Sequence, residues 1–168
     1  MKRILIIPAL VCDTVSIVKL INNSRSAAFG GNGAAHPQNL MRVSHKMIRE
    51  LLQDETSVIF KAVSEGQLLG CVLFRKQQNA IELSLLTVDP LFQKKGLEEI
   101  FVKAAEAYAF QQEADRIQIK IYPFQEELIM WYGLQGFYAG DNTIPMYHQH
   151  QVTNHRSRKM VLLEKCLK

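Results

Sequence analysis

One domain of the α/β (α+β) class, with a mixed but mostly antiparallel sheet of six to seven strands and helices on both faces, is the fold this sequence predicts. Three observations predict it. The chain has 168 residues, 48% hydrophobic and 21% charged, a globular composition at a length that makes a single domain able to bury its own core. Short apolar runs with β-branched residues or a period of two are bounded by turn residues, as strands are. Elsewhere the apolar period changes to 3.6, as it does in helices packed on a sheet.

The elements follow in order. Ile4 to Ile7 is a β-branched run stopped by Pro8, which suits a first strand. Asp13 or Thr14 can cap a helix through about Asn22. Asn22 to Gln38 holds Gly30, Gly31, Gly33 and Pro37 and reads as a loop. From Asn39 to Gln53 the residues Leu40, Val43, Met47, Ile48, Leu51 and Leu52 recur at three and four, an amphipathic helix with His45 off its stripe. Val58 to Val63 and Leu68 to Arg75 flank Ser64-Glu65-Gly66-Gln67, a hairpin. Gln77-Gln78-Asn79 then turns the chain into a third antiparallel strand, Ile81 to Val88.

Leu97, Ile100, Phe101, Ala104 and Tyr108 form one face of a helix to about Gln112, with Glu99 and Lys103 placed as an i,i+4 pair. Ile117, Ile119 and Ile121 alternate with polar neighbours in a strand buried on one face. Glu126 to Gln135 is a helix with Gly136 at its C-terminal cap. Two closing strands, Phe137 onward and Arg158 to Leu167, enclose a polar loop from Asp141 to Ser157.

Several function classes are excluded or set aside. Twenty Lys+Arg against sixteen Asp+Glu leave a net charge of +4, too mild and too dispersed to indicate nucleic acid. The only basic cluster is His155, Arg156, Arg158 and Lys159. Cys12, Cys71 and Cys166 are odd in number and far apart, so no disulfide framework or zinc site is indicated and a reducing cytoplasm is expected. Lys2-Arg3 before ILIIPALVC imitates an export signal, but the apolar run is short and Asp13 follows at once. No stretch reaches the roughly 18 apolar residues of a membrane span. His148, His150 and His155 lack a carboxylate or cysteine partner at tight spacing, so no metal is expected.

The stretch that carries chemistry is Ile81 to Glu98, IELSLLTVDPLFQKKGLE. A strand ends at Val88, Asp89-Pro90 breaks it, and Gln93-Lys94-Lys95-Gly96 leads into a helix. Free backbone N–H groups in that first turn can receive an anion such as phosphate. A plain strand-to-helix turn has the same pattern, so the residues alone leave both readings open.

Val88-Asp89-Pro90 followed by Gln93-Lys94-Lys95-Gly96-Leu97-Glu98 resembles the pyrophosphate loop of the GNAT superfamily of N-acetyltransferases, Q/R-x-x-G-x-G/A after a strand ending in V-x-P. Trp131-Tyr132 before Gly136-Phe137 matches a second family motif, and the order of elements agrees over essentially the whole chain. The resemblance implies acetyl-coenzyme A as cofactor. Backbone groups of Leu86, Thr87 and Val88 would pair with the pantetheine arm, and N–H groups of Gln93, Lys94, Lys95, Gly96, Leu97 and Glu98 would hold the pyrophosphate. Gln125 stands where many members have an asparagine.

Acyl transfer to an amine needs a base for the ammonium proton and an acid for the leaving thiolate. Glu82 falls where several members carry a catalytic glutamate; its other reading is an edge carboxylate in a salt bridge. Tyr132 matches the tyrosine that faces the coenzyme sulfur; its other reading is a core aromatic. The implied partner is a small-molecule or peptide amine, with no membrane or nucleic acid, and a homodimer is open. Glu98 replaces a small residue of the loop and sets a carboxylate beside the implied phosphates. It favours the alternative reading, a non-catalytic acyl-coenzyme A sensor or regulatory module.

Overall fold

The computed structural model describes residues 3–28, 42–123, 125–145 and 159–167. Seven strands form one sheet: β1 (Leu5–Pro8), β2 (Ser57–Ser64), β3 (Gln67–Gln77), β4 (Ala80–Val88), β5 (Arg116–Ile121), β6 (Tyr138–Pro145) and β7 (Lys159–Cys166). Their order across the sheet is β1-β2-β3-β4-β5-β7-β6. Every neighbour pair is antiparallel except β4 with β5. The helices are α1 (Thr14–Ala28), α2 (His45–Gln53), α3 (Leu97–Gln111) and α4 (Glu126–Leu134). The predicted element order and the single mixed sheet are as observed.

Alternation along β3 shows that both faces are covered. Cys71 and Leu73 point into a cluster with Ile17 and Ile21 of α1 and Ile48 of α2. Val72 and Phe74 point into the other cluster, with Phe101, Val102 and Ala105 of α3 and Tyr132 of α4. A strand buried on both faces loses the polar alternation of an edge strand, and Leu69 to Phe74 is buried without interruption. Burial pushes the Cys71 thiol up to about 12, so it packs as a small apolar group.

Local chemistry explains most boundaries. Glu65 (φ 50°) and Gly66 (φ 78°) both take positive φ between β2 and β3, the two-residue turn whose twist suits a hairpin. Ser44 caps α2 by accepting from the Met47 N–H at 3.1 Å. The Asn22 side chain holds Val43 from both sides, donating to its carbonyl and accepting from its N–H, each at 3.1 Å. The helix expected from Asn39 therefore starts only at His45.

The structure corrects other expectations. The loop expected from Asn22 begins within helix, since Asn22 to Ala28 continue α1, and 29–38 lie outside the described residues. Asp141 to Pro145 belong to β6 rather than to a loop. On α3 the buried face is Leu97, Phe101, Val102, Ala105 and Ala109, while Ile100 is exposed. Glu99 does not pair with Lys103: its Oε2 is buried with no hydrogen-bond partner among the described residues and lies 3.7 Å from where a Gly96 Cβ would stand.

The end of α4 is a Schellman motif. Phe137 N–H donates to the Tyr132 carbonyl and Gly136 N–H to that of Gly133, both at 3.0 Å, and Gly136 has φ 87°. The apolar contact that accompanies this motif is made by the Phe137 and Tyr132 rings, with centroids 5.3 Å apart. Gly136→Ala is expected to cost about 1–2 kcal/mol, because an L-residue is strained at this φ. A urea titration with an unchanged slope would show the midpoint falling. No fall would mean that the helix end relaxes without strain.

Candidate active site

The site is opened by an irregularity in β4. Its ladder with β3 passes from Thr87↔Cys71 to Ser84↔Leu73, so Leu85 and Leu86 stand opposite Val72 alone. Leu85 has φ 52°. Such a bulge bends its strand and raises the local twist. On the other side, β4 pairs with β5 only from Ala80↔Arg116 to Glu82↔Gln118. Beyond Glu82 the two parallel strands part, and a cleft of about 530 Å³ lies between them. The bulge also takes Leu85 off the face of Ile81 and Leu83, where simple alternation puts it, and packs it against the α1 and α2 cluster.

Of the residues singled out in the sequence, Glu82, Leu86, Thr87, Val88, Gln93, Glu98, Gln125 and Tyr132 line this cleft. Asp89 N–H reaches the Leu69 carbonyl at 2.8 Å. Antiparallel alternation then commits the Thr87 main chain to Cys71 and turns that of Val88 toward the cleft. The Val88 carbonyl accepts from Gln93 Nε2 at 3.2 Å and from Ser24 Oγ at 3.3 Å, tying the end of β4 to the loop and to α1. The Thr87 hydroxyl donates to the Leu85 carbonyl at 3.0 Å and so secures the bulge.

The Gln93 to Gly96 loop presents backbone more than charge. Lys94 (φ 58°) and Gly96 (φ 84°) take the left-handed conformation, and Gly96 is the N-cap of α3. N–H groups at that start have no acceptor within the helix. Lys95 Nζ donates to the Leu91 carbonyl at 2.7 Å and sits 5.1 Å from the centre of the Phe92 ring. Lys94 is exposed, and the Leu97 side chain is buried in the core. The side chains of Lys94, Lys95 and Leu97 do not line the cleft, whereas Glu98, in the first turn of α3, does.

Tyr132 is 3% exposed, held between Trp131 and Phe137 by edge-to-face ring contacts. Burial pushes its phenol well above the usual tyrosine range, and the Glu98 carboxylate adds in the same direction. Both disfavour the phenolate, so the hydroxyl stays protonated in neutral water. Gln125, the N-cap of α4, accepts from the Tyr122 N–H through Oε1 at 3.3 Å.

Glu82 lines the cleft as Tyr132 does, and its Oε2 accepts from Lys120 Nζ at 2.9 Å and from Gln77 Nε2. Its Oε1 carries no bond among the described residues. Lys120, Ser24 and Leu85 line the cleft as well, and sequence reasoning missed all three. Lys120 had one available signal: on β5 it shares the Arg116 and Gln118 face, beside a strand bearing Glu82. Among the described residues no group of three His, Cys, Asp or Glu is placed to hold a metal. His148, His150 and His155 lie outside them.

These residues fit a long ligand with an anionic segment. The start of α3 offers N–H donors without a Cβ at Gly96, the β4 edge offers main-chain partners, and Tyr132 offers a proton donor. Two carboxylates in the first turn of α3 oppose the anion, Glu98 in the cleft lining and Glu99 beside Gly96. No helix among the described residues is long and apolar enough to cross a membrane.

Comparison with known proteins supports the same reading. No curated protein sequence matches the chain. The fold is similar to that of PaiA N-acetyltransferase from Thermoplasma acidophilum, solved with coenzyme A, at a TM-score of 0.77 and 14% identity over 98% of this chain and 99% of that one. A ribosomal-protein-alanine N-acetyltransferase from Brucella melitensis gives 0.71 and 18% over 97% and 99%. A chimeric spermidine N-acetyltransferase from Vibrio cholerae gives 0.71 and 15% over 98% and 95%. Likeness at these identities establishes the fold. Membership comes from the sequence itself, because the model of the acetyltransferase (GNAT) family matches residues 21–137. The chain belongs to the GNAT family of acetyltransferases, whose acyl donor is acetyl-coenzyme A.

Proposed function

We propose that this protein moves the acetyl group of acetyl-coenzyme A to a primary amine by direct attack in a ternary complex. The observation that carries the reading is one cleft lined by both a carboxylate with an oxygen that is free among the described residues, Glu82, and a buried phenol, Tyr132. When bound, the coenzyme supplies a thioester whose acyl carbon an amine can attack. Glu82 Oε1 accepts the ammonium proton, directly or through one water. Tyr132 donates its hydroxyl proton to the departing sulfur. Backbone groups of Leu86 and Val88 and the N–H groups that open α3 orient the donor. Proteins of similar fold are named for acceptors as unlike as spermidine and a ribosomal protein, so the acceptor is set at the class of primary amines, in a small molecule or a peptide.

Thiol release from acetyl-coenzyme A against a panel of amines, run beside melting curves with the coenzyme alone, tests the reading. Turnover with at least one amine and a rise in melting temperature are expected, because a ligand of the native state stabilises it. Absence of binding at millimolar coenzyme would overturn it. A rise without turnover would favour the second reading, a non-catalytic acyl-coenzyme A sensor, which the Glu98 carboxylate in the cleft supports.

Glu98 has its own test. A carboxylate near a pyrophosphate costs on the order of 1 kcal/mol at partly solvated dielectric. Glu98→Gly is expected to bind coenzyme A up to about tenfold more tightly at low salt, with the gain shrinking as salt screens the charge. Calorimetry giving equal or weaker binding would mean that the side chain turns away from the phosphates.

A further inference from the structure

We infer that Lys120 is an internal acyl acceptor, a self-acetylation site within the same cleft; the inference rests on the proposed acetyl transfer. Lys120 Nζ stands 2.9 Å from Glu82 Oε2, within the distance over which a base takes a proton. Any external amine must bring its nitrogen to that same carboxylate, and the chain already carries one there. The residue lies on β5 two positions past Gln118, the last partner of β4, and so in the opening where the strands part. It lines the cleft with Leu86 and Tyr132, and its side chain is only 32% exposed. Lys46 shows the contrast: its side chain is 85% exposed and its carboxylate partner, Glu50, is 3.9 Å away and itself exposed, beyond the distance over which a base takes a proton.

The step balances without a further reactant. The Lys120 ammonium gives a proton to Glu82, and the freed nitrogen pair forms a bond to the acetyl carbon. The carbon–sulfur bond breaks with its electron pair on sulfur, which takes the Tyr132 proton. As the amide forms, the nitrogen gives up its second proton, which through solvent restores the Tyr132 hydroxyl, and Glu82 releases the first proton to solvent. The net products are acetyl-lysine, free thiol and one proton. Because the amide is uncharged, Glu82 loses its ion partner.

Two measurements test this. In the protein without coenzyme, a water-soluble carbodiimide should join Glu82 to Lys120 in a zero-length crosslink found by mass spectrometry; no crosslink would overturn the geometry. The full chain is then incubated with acetyl-coenzyme A and no amine, and its peptides are mapped. One acetyl group at Lys120 is expected, at a rate constant unchanged by protein dilution, absent in Lys120→Arg and slowed about 10²-fold or more in Glu82→Gln. Labelling of Lys46 as fast as Lys120, or a rate that scales with protein concentration, would overturn it. So would an unlabelled Lys120 in protein that acetylates added amines, with the proposed transfer left standing. Failure to bind the coenzyme at all would overturn both.

Discussion

Glu82→Gln is expected to lower kcat for amine acetylation by about 10²–10⁴-fold, the usual contribution of a positioned general base, with the affinity for coenzyme A unchanged. The substitution keeps the side chain's length and its place beside Lys120 and Gln77 but removes the capacity to take a proton. Its effect on stability should be small by comparison, since a partly exposed ion pair contributes about 0–1 kcal/mol. Rate and melting curve therefore separate two roles. If Glu82 only pairs with Lys120, the rate hardly moves. If it accepts the acceptor's proton, the rate collapses while the coenzyme still raises the melting temperature as it does in the parent protein. Glu82→Asp, which keeps the acid on a shorter stem, should recover part of the loss. An unchanged rate in Glu82→Gln would return the residue to a purely structural pairing.

What was legible in the sequence was whatever local chemistry decides. The hairpin around Glu65-Gly66 needs two positive φ values and a turn residue able to supply one of them, and Gly136-Phe137 after an apolar helix announces both a helix end and the aromatic it pins. The bulge was not legible. Leucine disfavours φ 52°, and nothing in IELSLLTV marks Leu85; the conformation is imposed by neighbouring strands and secured by the Thr87 hydroxyl. The Glu82–Lys120 pair was hidden for a related reason. The two residues lie 38 positions apart and meet only because a parallel register sets Glu82 beside Gln118, so lysine on the polar face of β5 reads alone as a solvated charge. Glu98 was legible as a departure from a motif, but its direction into the cleft depends on where α3 starts, which Gly96 fixes by its left-handed φ.

Tyr132→Phe keeps the ring contacts with Trp131 and Phe137 and removes one oxygen, so a large loss in its rate assigns proton donation and a small one assigns packing. A loss of kcat on the order of 10²-fold or more is expected, with little change in stability at neutral pH. The pH dependence supplies a second readout. Burial raises the phenol's pKa in the folded state, so between the unfolded value near 10 and the higher folded value the native protein holds a proton that the unfolded chain has released. Stability from this group is complete below about pH 10 and is lost as pH rises through that window. The phenylalanine variant has no such group, and above about pH 10 its denaturation midpoint should fall less steeply than that of the parent. Equal slopes would mean that the hydroxyl meets water. A phenol in contact with water would titrate at about 10 in both states, and the burial that holds Tyr132 in one place beside Trp131 and Phe137 would then not extend to its hydroxyl.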